Sequence, residues 1–241
     1  MNSFWTALQF LTIFPWPRGV ITAPEEIGRS AVFFPLVGFC LGLGLVFFDW
    51  FLSLFLAPDL LGVALVALMI LLTRGLHLDG LGDTFDGLGA KGGRDGALRA
   101  MADSRVGIFG LLAVVVVLSF KFQALKVLGE HRAPALLLAP VLGRWAMLIL
   151  AYGSSSAREG LGRILVDHVN RKILFWATAF TLISVSLLKA RPGLWIALCV
   201  TLLTLLFRRY LQRRLGGVTG DTFGAVGEIN ETLALVIFAS A

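Results

Sequence analysis

The sequence predicts an all-α protein, a polytopic transmembrane helical bundle of about 6–7 spans with an N-terminal interfacial helix. Hydrophobic residues make up 57% of the 241 residues. Several apolar runs reach the ~20 residues that cross the hydrocarbon of a bilayer, and short polar segments separate these runs. The length leaves room for a single integral membrane domain, residues 1–241, whose chemistry is carried on its loops.

The first expected element is an interfacial helix over residues 4–14, which are apolar and aromatic and follow neither a basic stretch nor a cleavage signal. Pro15 and Pro17 would end this helix. Six membrane spans should follow, with a turn at Pro192 between the last two. They cover about 31–56, 60–76, 107–128, 134–152, 173–188 and 194–207.

A seventh span is expected if the last helix extends from about residue 220 to residue 241. It would contain Asp221, Glu228 and Glu231, whose spacing of i, i+7 and i+10 keeps them on one helical face. That face must meet the protein interior or a watery cavity, because carboxylates facing lipid are costly.

Four features inside the spans carry structural expectations. Residues 38–42 form a GxxxG pair that permits close helix contact. Lys121 and Lys126 lie near the end of one span, and we expect them to snorkel to the interface. Arg144 lies within another span. It needs either an ion pair with an acid such as Asp49 or the phosphate of a substrate.

The lysines and arginines predict the orientation. Of the 21, 15 lie on the side that carries residues 1–30, 77–106, 153–172 and 208–231, with the boundary residue Arg74 included, and 4 lie on the other side. The remaining two, Lys121 and Arg144, lie within spans. The positive-inside rule therefore places these four segments in the cytoplasm. Because the basic residues are spread over several loops, membrane topology explains them better than a nucleic-acid partner does.

Residues 77–106 form the acidic segment, which gathers most of the chemistry of the chain. Asp79, Asp83 and Asp86 stand at i, i+4 and i+7, so a helix would present all three carboxylates on one face. Such an all-oxygen cluster suits a hard cation such as Mg²⁺. Glycines 80, 82, 87 and 89 lie among the acids and would let the backbone approach a bulky ligand.

Polar residues around these acids complete the candidate site. Lys91, Arg94, Arg99 and Arg105 could neutralise phosphate oxygens, although a solvated loop with balanced charges would have the same composition. His77 could ligate a metal or form a hydrogen bond where the chain leaves the membrane. Asp103 could cap a helix that begins near Arg105, or it could bind a metal.

Absent motifs narrow the chemistry. There is no Walker loop, no HExxH and no GxSxG, which removes the usual support for ATP hydrolysis, zinc proteolysis and serine hydrolysis. Cys40 and Cys199 fall inside apolar runs, so neither a disulfide framework nor a thiolate metal site is expected. Metal-assisted chemistry on a diphosphate and ion transport remain.

The chain resembles the cobalamin synthase family of membrane enzymes over nearly its whole length. The resemblance rests on FWTALQFLTIFPWP, FFPLVGFCLG, GLHLDGLGDTFDGLGA, MADSRVGIFG and GGVTGDTFGA with the glutamates that follow. It implies the transfer of α-ribazole, or its 5′-phosphate, onto adenosylcobinamide-GDP, with Mg²⁺ as cofactor and GMP as product. It also implies the inner membrane of a prokaryote, other late enzymes of vitamin B12 synthesis as partners, and a homo-oligomer.

The predicted site residues fall into three sets. The resemblance implies Asp79, Asp83, Asp86, Asp103 and Asp221 as metal ligands. The catalytic set is Asp79, Asp83, Asp103 and Glu228, with Asp103 or Glu228 accepting the proton of the attacking hydroxyl. The substrate-binding set is His77, Lys91, Arg94, Arg105, Arg144 and Thr219, the last of which belongs to GGVTGDTFGA in the C-terminal basic and acidic motif, residues 208–231.

Two other functions remain open. A membrane cation transporter would use Asp221, Glu228 and Glu231 as an ion path. A phospholipid head-group transferase of the CDP-alcohol type is suggested because Asp83 to Lys91 resembles the first half of the motif DxxDGxxAR, with lysine replacing the final arginine. The second half of that motif is absent.

Overall fold

The computed structural model describes residues 2–14 and 23–241, without the side chains of residues 2 and 189–191. These residues form α-helices and two short 3₁₀ turns, and they contain no β-strand. The helices are α1 Asn2–Leu11, α2 Pro24–Ser30, α3 Phe34–Ser53, α4 Pro58–Leu72, α5 Leu76–Gly89, α6 Gly93–Ala100, α7 Ile108–Val127, α8 Arg132–Ala151, α9 Leu161–His168, α10 Arg171–Leu215 and α11 Gly220–Ala239.

The predicted multi-pass helical architecture is confirmed. Within the described part of the chain, 6 segments are long and apolar enough to cross a membrane. The bent pair of α4 and α5 would add a seventh crossing, and α5 turns away from α4 by 87°. We treat α4 as the crossing part of this pair. The acid-bearing α5 then lies beyond the crossing.

The helix α10 folds back on itself near Pro192, as the predicted turn between two spans requires. A straight helix would hold Val185 and Gly193 about 12 Å apart along its axis, yet a methyl group at Gly193 would lie 2.6 Å from a Val185 side-chain carbon. The two halves, residues 171–188 and 192–215, each qualify as a span. Both halves belong to one helical element, Arg171–Leu215, and the bend lies at the proline, which has no N–H for a helical hydrogen bond.

The predicted N-terminal helix is present as α1 and packs on the bundle. It ends at Leu11, three residues earlier than expected, and Leu11 is buried. The Phe10 ring stacks on Phe34 at the start of α3, with ring centroids 5.9 Å apart. The backbone N–H of Ile13 donates to the Leu72 carbonyl, which ties this helix to the end of α4. Pro15 and Pro17 lie outside the described residues.

The core lies around α8 and α11, the two most buried spans of the described chain. The predicted GxxxG contact is confirmed, since α3 packs its Gly38 and Gly42 directly on α8. A methyl group at Gly38 would lie 2.5 Å from the Pro140 carbonyl oxygen, and one at Gly42 would lie 2.7 Å from the Leu137 Cα. Backbone at this distance leaves no room for any side chain.

A buried charge cluster joins α7, α8 and α11. Lys121 donates to Glu228 at 2.6 Å and to Glu231 at 2.7 Å. Arg144 pairs with the other oxygen of Glu231. Each of these four side chains is at most 6% exposed. Two cations and two anions leave the cluster neutral, and that neutrality makes it tolerable inside a membrane protein.

One expectation about these charges is wrong, and the expected ion pair of Arg144 forms with a different acid. Lys121 does not snorkel, because the carboxylates of α11 give its ammonium group a partner inside the bundle. Arg144 pairs with Glu231 and not with Asp49, which instead accepts from Arg132 at 2.7 Å. Sequence spacing within one helix could not reveal these partners, since they lie on other helices.

We expect Lys121→Met to destabilise the protein by about 3–5 kcal/mol, because it leaves two buried carboxylates with one cation. Adding Glu228→Gln should restore neutrality and recover part of the loss. Thermal unfolding in detergent measures both variants. A single variant as stable as the unaltered protein, or a double variant less stable than the single one, would show that the cluster is not coupled in this way.

Candidate active site

The helix α5 is held against α11 by backbone contact. A methyl group at Gly80 would lie 2.7 Å from the Asp221 carbonyl oxygen, and one at Gly224 would lie 3.0 Å from the His77 carbonyl oxygen. Gly87 packs on Met101, and Gly89 packs on Phe109. The expectation that these glycines admit a bulky ligand is therefore wrong for most of them.

Gly82 is the exception, because it lines an open cavity of about 580 Å³ between α4, α5 and α7. The acids Asp79, Asp83 and Asp86 line the same cavity, as their spacing predicted. Among the described residues, Asp79 and Asp83 have no hydrogen-bond or ion-pair partner. Two unpaired carboxylates one helical turn apart form a concentrated negative charge at the cavity wall.

Electrostatics around Asp83 reflect that crowding. Burial, followed by the negative charges of Asp79, Asp221 and Asp86, raises the pKa of its carboxyl to about 6, and the positive charge of Arg158 partly opposes this rise. The carboxylates around Asp83 outnumber this one guanidinium, so the cluster keeps an excess of negative charge. The cluster therefore favours the approach of a cation.

Asp86 has a second role. Its Oδ2 accepts from the Gly107 backbone N–H at 2.7 Å, and its Oδ1 accepts from the Gly110 N–H at 2.8 Å. These are donors in the first turn of α7, which have no partners within their own helix. Asp86 thus caps α7, in place of the cap expected from Asp103. Its role as a metal ligand stays a prediction.

Asp221 is brought to α5 by the start of α11. Its Oδ2 accepts from Arg158 at 2.7 Å and from the Thr219 hydroxyl at 3.1 Å. Thr219 is fully buried and caps α11 through a reciprocal pair of hydrogen bonds with Thr222. The structure gives Thr219 a capping role. Contact between Thr219 and a substrate stays a prediction.

The remaining acid and its basic neighbours lie further out. Asp103 accepts from the backbone and the guanidinium of Arg105, and these hydrogen bonds lower its pKa to about 2. The Arg105 side chain is 87% exposed, and Lys91 is exposed as well. No contact joins Asp103 to the acids of α5, so their convergence on one metal stays a prediction.

Arg94 holds three segments together. Its guanidinium donates to the Leu215 carbonyl at 2.8 Å and to the Ala157 carbonyl at 3.1 Å. Arg214 donates in the opposite direction, to the Ala90 carbonyl at 2.7 Å. These contacts bring the acidic segment, the loop 153–172 and the C-terminal motif to one end of the bundle. The positive-inside rule had predicted that these segments lie on the same side of the membrane.

Three predicted residues face the bundle interior. Glu228 pairs with Lys121 and Arg144 pairs with Glu231, as described above, so both have structural partners; their catalytic and phosphate-binding roles stay predictions. His77 is 3% exposed. Its Nδ1 lies 3.4 Å from Arg144 Nη2, and its Nε2 is buried without a partner. A buried polar group left in this state costs about 1–3 kcal/mol.

A second, smaller cavity of about 100 Å³ lies on the other side of α5, against α1, α3, α9 and α11. His77, Asp79 and Asp221 line it among apolar side chains. The apolar lining is Phe10, Leu11, Phe34, Leu76, Met147, Leu161, Leu165 and Phe223. Sequence reasoning assigned no function to this set, because its members come from distant parts of the chain.

Arg74 and Arg158 were also missed as site residues. Arg74 lines the open cavity and has φ of 55°, which non-glycine residues seldom adopt. It stands immediately before Gly75, at the start of the acidic segment, and that position was an available signal. Arg158 belongs to the polar loop and gave no local signal, because its partner Asp221 is 63 residues away.

The acids of α5 fit a hard cation by chemical type. The carboxylates of Asp79 and Asp83, and the Oδ1 of Asp221, have no hydrogen-bond or ion-pair partner among the described residues. However, no three histidine, cysteine or carboxylate side chains of the described residues converge closely enough to hold an ion without moving. Metal binding would therefore need a change of rotamer at one or more of these acids, or oxygen ligands from substrate and water.

Comparison with known proteins identifies the family. Residues 3–239 match the family model described as CobS, Cobalamin-5-phosphate synthase. Relatives named adenosylcobinamide-GDP ribazoletransferase come from Geotalea daltonii, 41% identical over 98% of this chain and 96% of the relative, and from Pseudomonas entomophila, 43% identical over 98% of each. No solved structure matches significantly. The chain therefore belongs to the cobalamin-5-phosphate synthase family, as its motifs predicted.

Proposed function

We propose that the protein joins adenosylcobinamide-GDP to α-ribazole or its 5′-phosphate and releases GMP, with Mg²⁺ as cofactor. The site would face the cytoplasm from the inner membrane of a prokaryote. The observation that carries the proposal is the pair of unpaired carboxylates, Asp79 and Asp83, on the wall of the open cavity. The substrates of the proposal are taken from the name of the relatives, adenosylcobinamide-GDP ribazoletransferase.

The chemistry is a displacement at phosphorus. A ribose hydroxyl of the acceptor attacks the phosphorus on the cobinamide side of the diphosphate. It is not the 5′ hydroxyl, because the 5′ oxygen already carries the phosphate in α-ribazole 5′-phosphate. A new phosphorus–oxygen bond forms, the bond to the bridging oxygen breaks, and that oxygen leaves as part of GMP. The products are the cobalamin phosphodiester and GMP, and the hydroxyl proton passes to the enzyme.

Asp79, Asp83 and the free oxygen of Asp221 would hold the cation. Bound Mg²⁺ would supply positive charge to the diphosphate and to the leaving phosphate. Arg74 lines the same cavity and would neutralise oxygens that the metal does not reach. Asp86 would take little part, since both of its oxygens already accept backbone hydrogen bonds.

We assign the proton acceptor to Asp79. Glu228 is paired with a buried lysine, and Asp103 is paired with Arg105 at the surface. Asp79 has no partner among the described residues, and it lines both cavities. A carboxylate that borders both cavities is better placed than either alternative to accept the proton, through the oxygen that does not hold the cation.

The ion pairs of the C-terminal acids argue against the transporter alternative. Glu228 and Glu231 are neutralised by Lys121 and Arg144, and Asp221 is paired with Arg158. Acids already paired with fixed cations make a poor path for a mobile cation.

The direct test is GMP release by purified protein in liposomes supplied with adenosylcobinamide-GDP and α-ribazole. We expect GMP and a cobalamin product in equal amounts, with both lost when EDTA removes the metal and restored by added Mg²⁺. A CDP-linked donor serves as the comparison. The assay is repeated with α-ribazole 5′-phosphate as the acceptor. Product from the CDP-linked donor alone, or no product with either of the two acceptors, would refute the proposal.

Asp83→Asn should lower turnover by roughly 100-fold or more at saturating Mg²⁺, since loss of electrostatic stabilisation at the reacting phosphate costs about that much. Asp95→Asn is the matched control, because Asp95 is an exposed acid of the neighbouring α6. GMP release is measured for both after their melting temperatures have been compared. Equal turnover of the two variants would remove Asp83 from the site.

The affinity for the metal should depend on pH through Asp83, whose pKa is raised to about 6. Above pH 6 the carboxylate is charged and free to bind. Below pH 6 a proton competes with the cation, so the Mg²⁺ concentration for half-maximal activity should rise up to about tenfold per pH unit. Titrations of activity with Mg²⁺ between pH 5 and pH 8 test this expectation, and a flat profile would contradict it.

A further inference from the structure

The helix α5 separates two cavities of different size and lining. Leu76 and Asp79 line both. The open cavity of about 580 Å³ is bordered by exposed residues such as Val106. The small cavity of about 100 Å³ is walled by buried apolar side chains. A reaction between two substrates needs two binding spaces that meet at the reacting atoms, and Asp79 marks the place where these two meet.

We propose that the small cavity binds the flat aromatic base of the acceptor nucleoside, and that the open cavity takes the diphosphate donor. This inference rests on the proposed function and assigns a separate binding space to each of its two substrates. The corrinoid donor is far too large for the enclosed space of about 100 Å³. The open cavity can take the diphosphate of the donor while the corrinoid extends beyond its rim.

The lining of the small cavity suits an aromatic heterocycle. Phe34 and Phe223 are buried in its wall, and Phe10 stacks on Phe34. Aromatic and aliphatic walls of this kind bind flat apolar rings through surface burial and ring contacts. The base of α-ribazole, dimethylbenzimidazole, is a fused two-ring aromatic. One ring nitrogen carries the sugar, and the other is free to accept a hydrogen bond.

His77 supplies the matching donor. Its Nδ1 lies 3.4 Å from Arg144 Nη2. A guanidinium can only donate hydrogen bonds, so Nδ1 must be the accepting nitrogen. In the neutral ring the proton is then on Nε2, which is buried and has no partner in the described protein. The free nitrogen of the acceptor base would accept from this N–H.

Exposure of the lining residues indicates the mouth of the cavity. Leu161 is 39% and Leu76 is 37% exposed, whereas Leu165 is 3% exposed. Asp79 is also exposed. A base packed against the phenylalanines would leave its ribose at this mouth, so the attacking ribose hydroxyl would lie on the side of Asp79 that borders the open cavity.

The test compares two filling variants by steady-state kinetics. Leu165→Phe narrows the small cavity, and its matched control Val114→Phe narrows the open one. We expect Leu165→Phe to raise KM for α-ribazole about tenfold or more while KM for the donor stays unchanged, and Val114→Phe to show the reverse. If Leu165→Phe lowers the melting temperature sharply, Leu161→Phe at the mouth replaces it.

His77 is tested by a pair of variants. His77→Leu removes the donor and should raise KM for α-ribazole, and His77→Gln keeps an N–H near the position of Nε2 and should recover part of the affinity. Equal KM values for α-ribazole in both variants and in the unaltered protein would overturn the assignment of the hydrogen bond to His77.

Equilibrium dialysis measures the binding of free dimethylbenzimidazole to the small cavity and does not require turnover. Loss of binding in Leu165→Phe with retention in Val114→Phe supports the inference. Binding that is insensitive to Leu165→Phe, or a raised donor KM in that variant with active GMP release, overturns the inference and leaves the proposed function standing. Absence of GMP release from the unaltered protein would instead overturn the proposed function.

Discussion

The backbone contact between α5 and α11 sets the position of every group in the candidate site. Only glycine at positions 80 and 224 lets the two helices approach this closely. That approach places Asp79 and Asp83 beside Asp221, and it places His77 beside the charges inside the bundle. A glycine costs helix stability of about 1 kcal/mol relative to alanine. At positions 80 and 224 this cost accompanies the close packing of α5 on α11.

The site and the membrane core meet at His77. On one side of this residue lies the neutral cluster of Lys121, Arg144, Glu228 and Glu231, and on the other lie the unpaired acids at the cavities. The two groups of acids differ in how their negative charge is balanced. The inner ones are matched by bases and hold helices together, and the outer ones have an excess of negative charge that only a ligand can balance.

Periodicity and composition were sufficient to predict the membrane spans, the helical acidic segment and the meeting of distant segments at one end. They were not sufficient to separate paired acids from unpaired ones. Glu228 and Asp83 both lie on helices at regular spacing, yet only one has a lysine partner, and that lysine is 107 residues away. The glycines of the acidic segment could not be interpreted from sequence alone. Glycine is favoured both where two helices pack closely and where a ligand needs room, so the residue type does not distinguish the two. The small cavity was invisible to pattern analysis, since six helices contribute to its wall.

The aspartates of α5 have two different roles, and Asp86 shows the difference. Its carboxylate fixes the first turn of α7, and the acids one and two turns earlier face the cavity. A genetic selection that scores only growth would place all three acids in one class, because loss of a helix end and loss of a ligand both abolish the phenotype. Measurements that separate the amount of folded protein from the activity per molecule would divide them. Aspartate would then be retained in this motif for two reasons, at position 86 for folding and at positions 79 and 83 for chemistry.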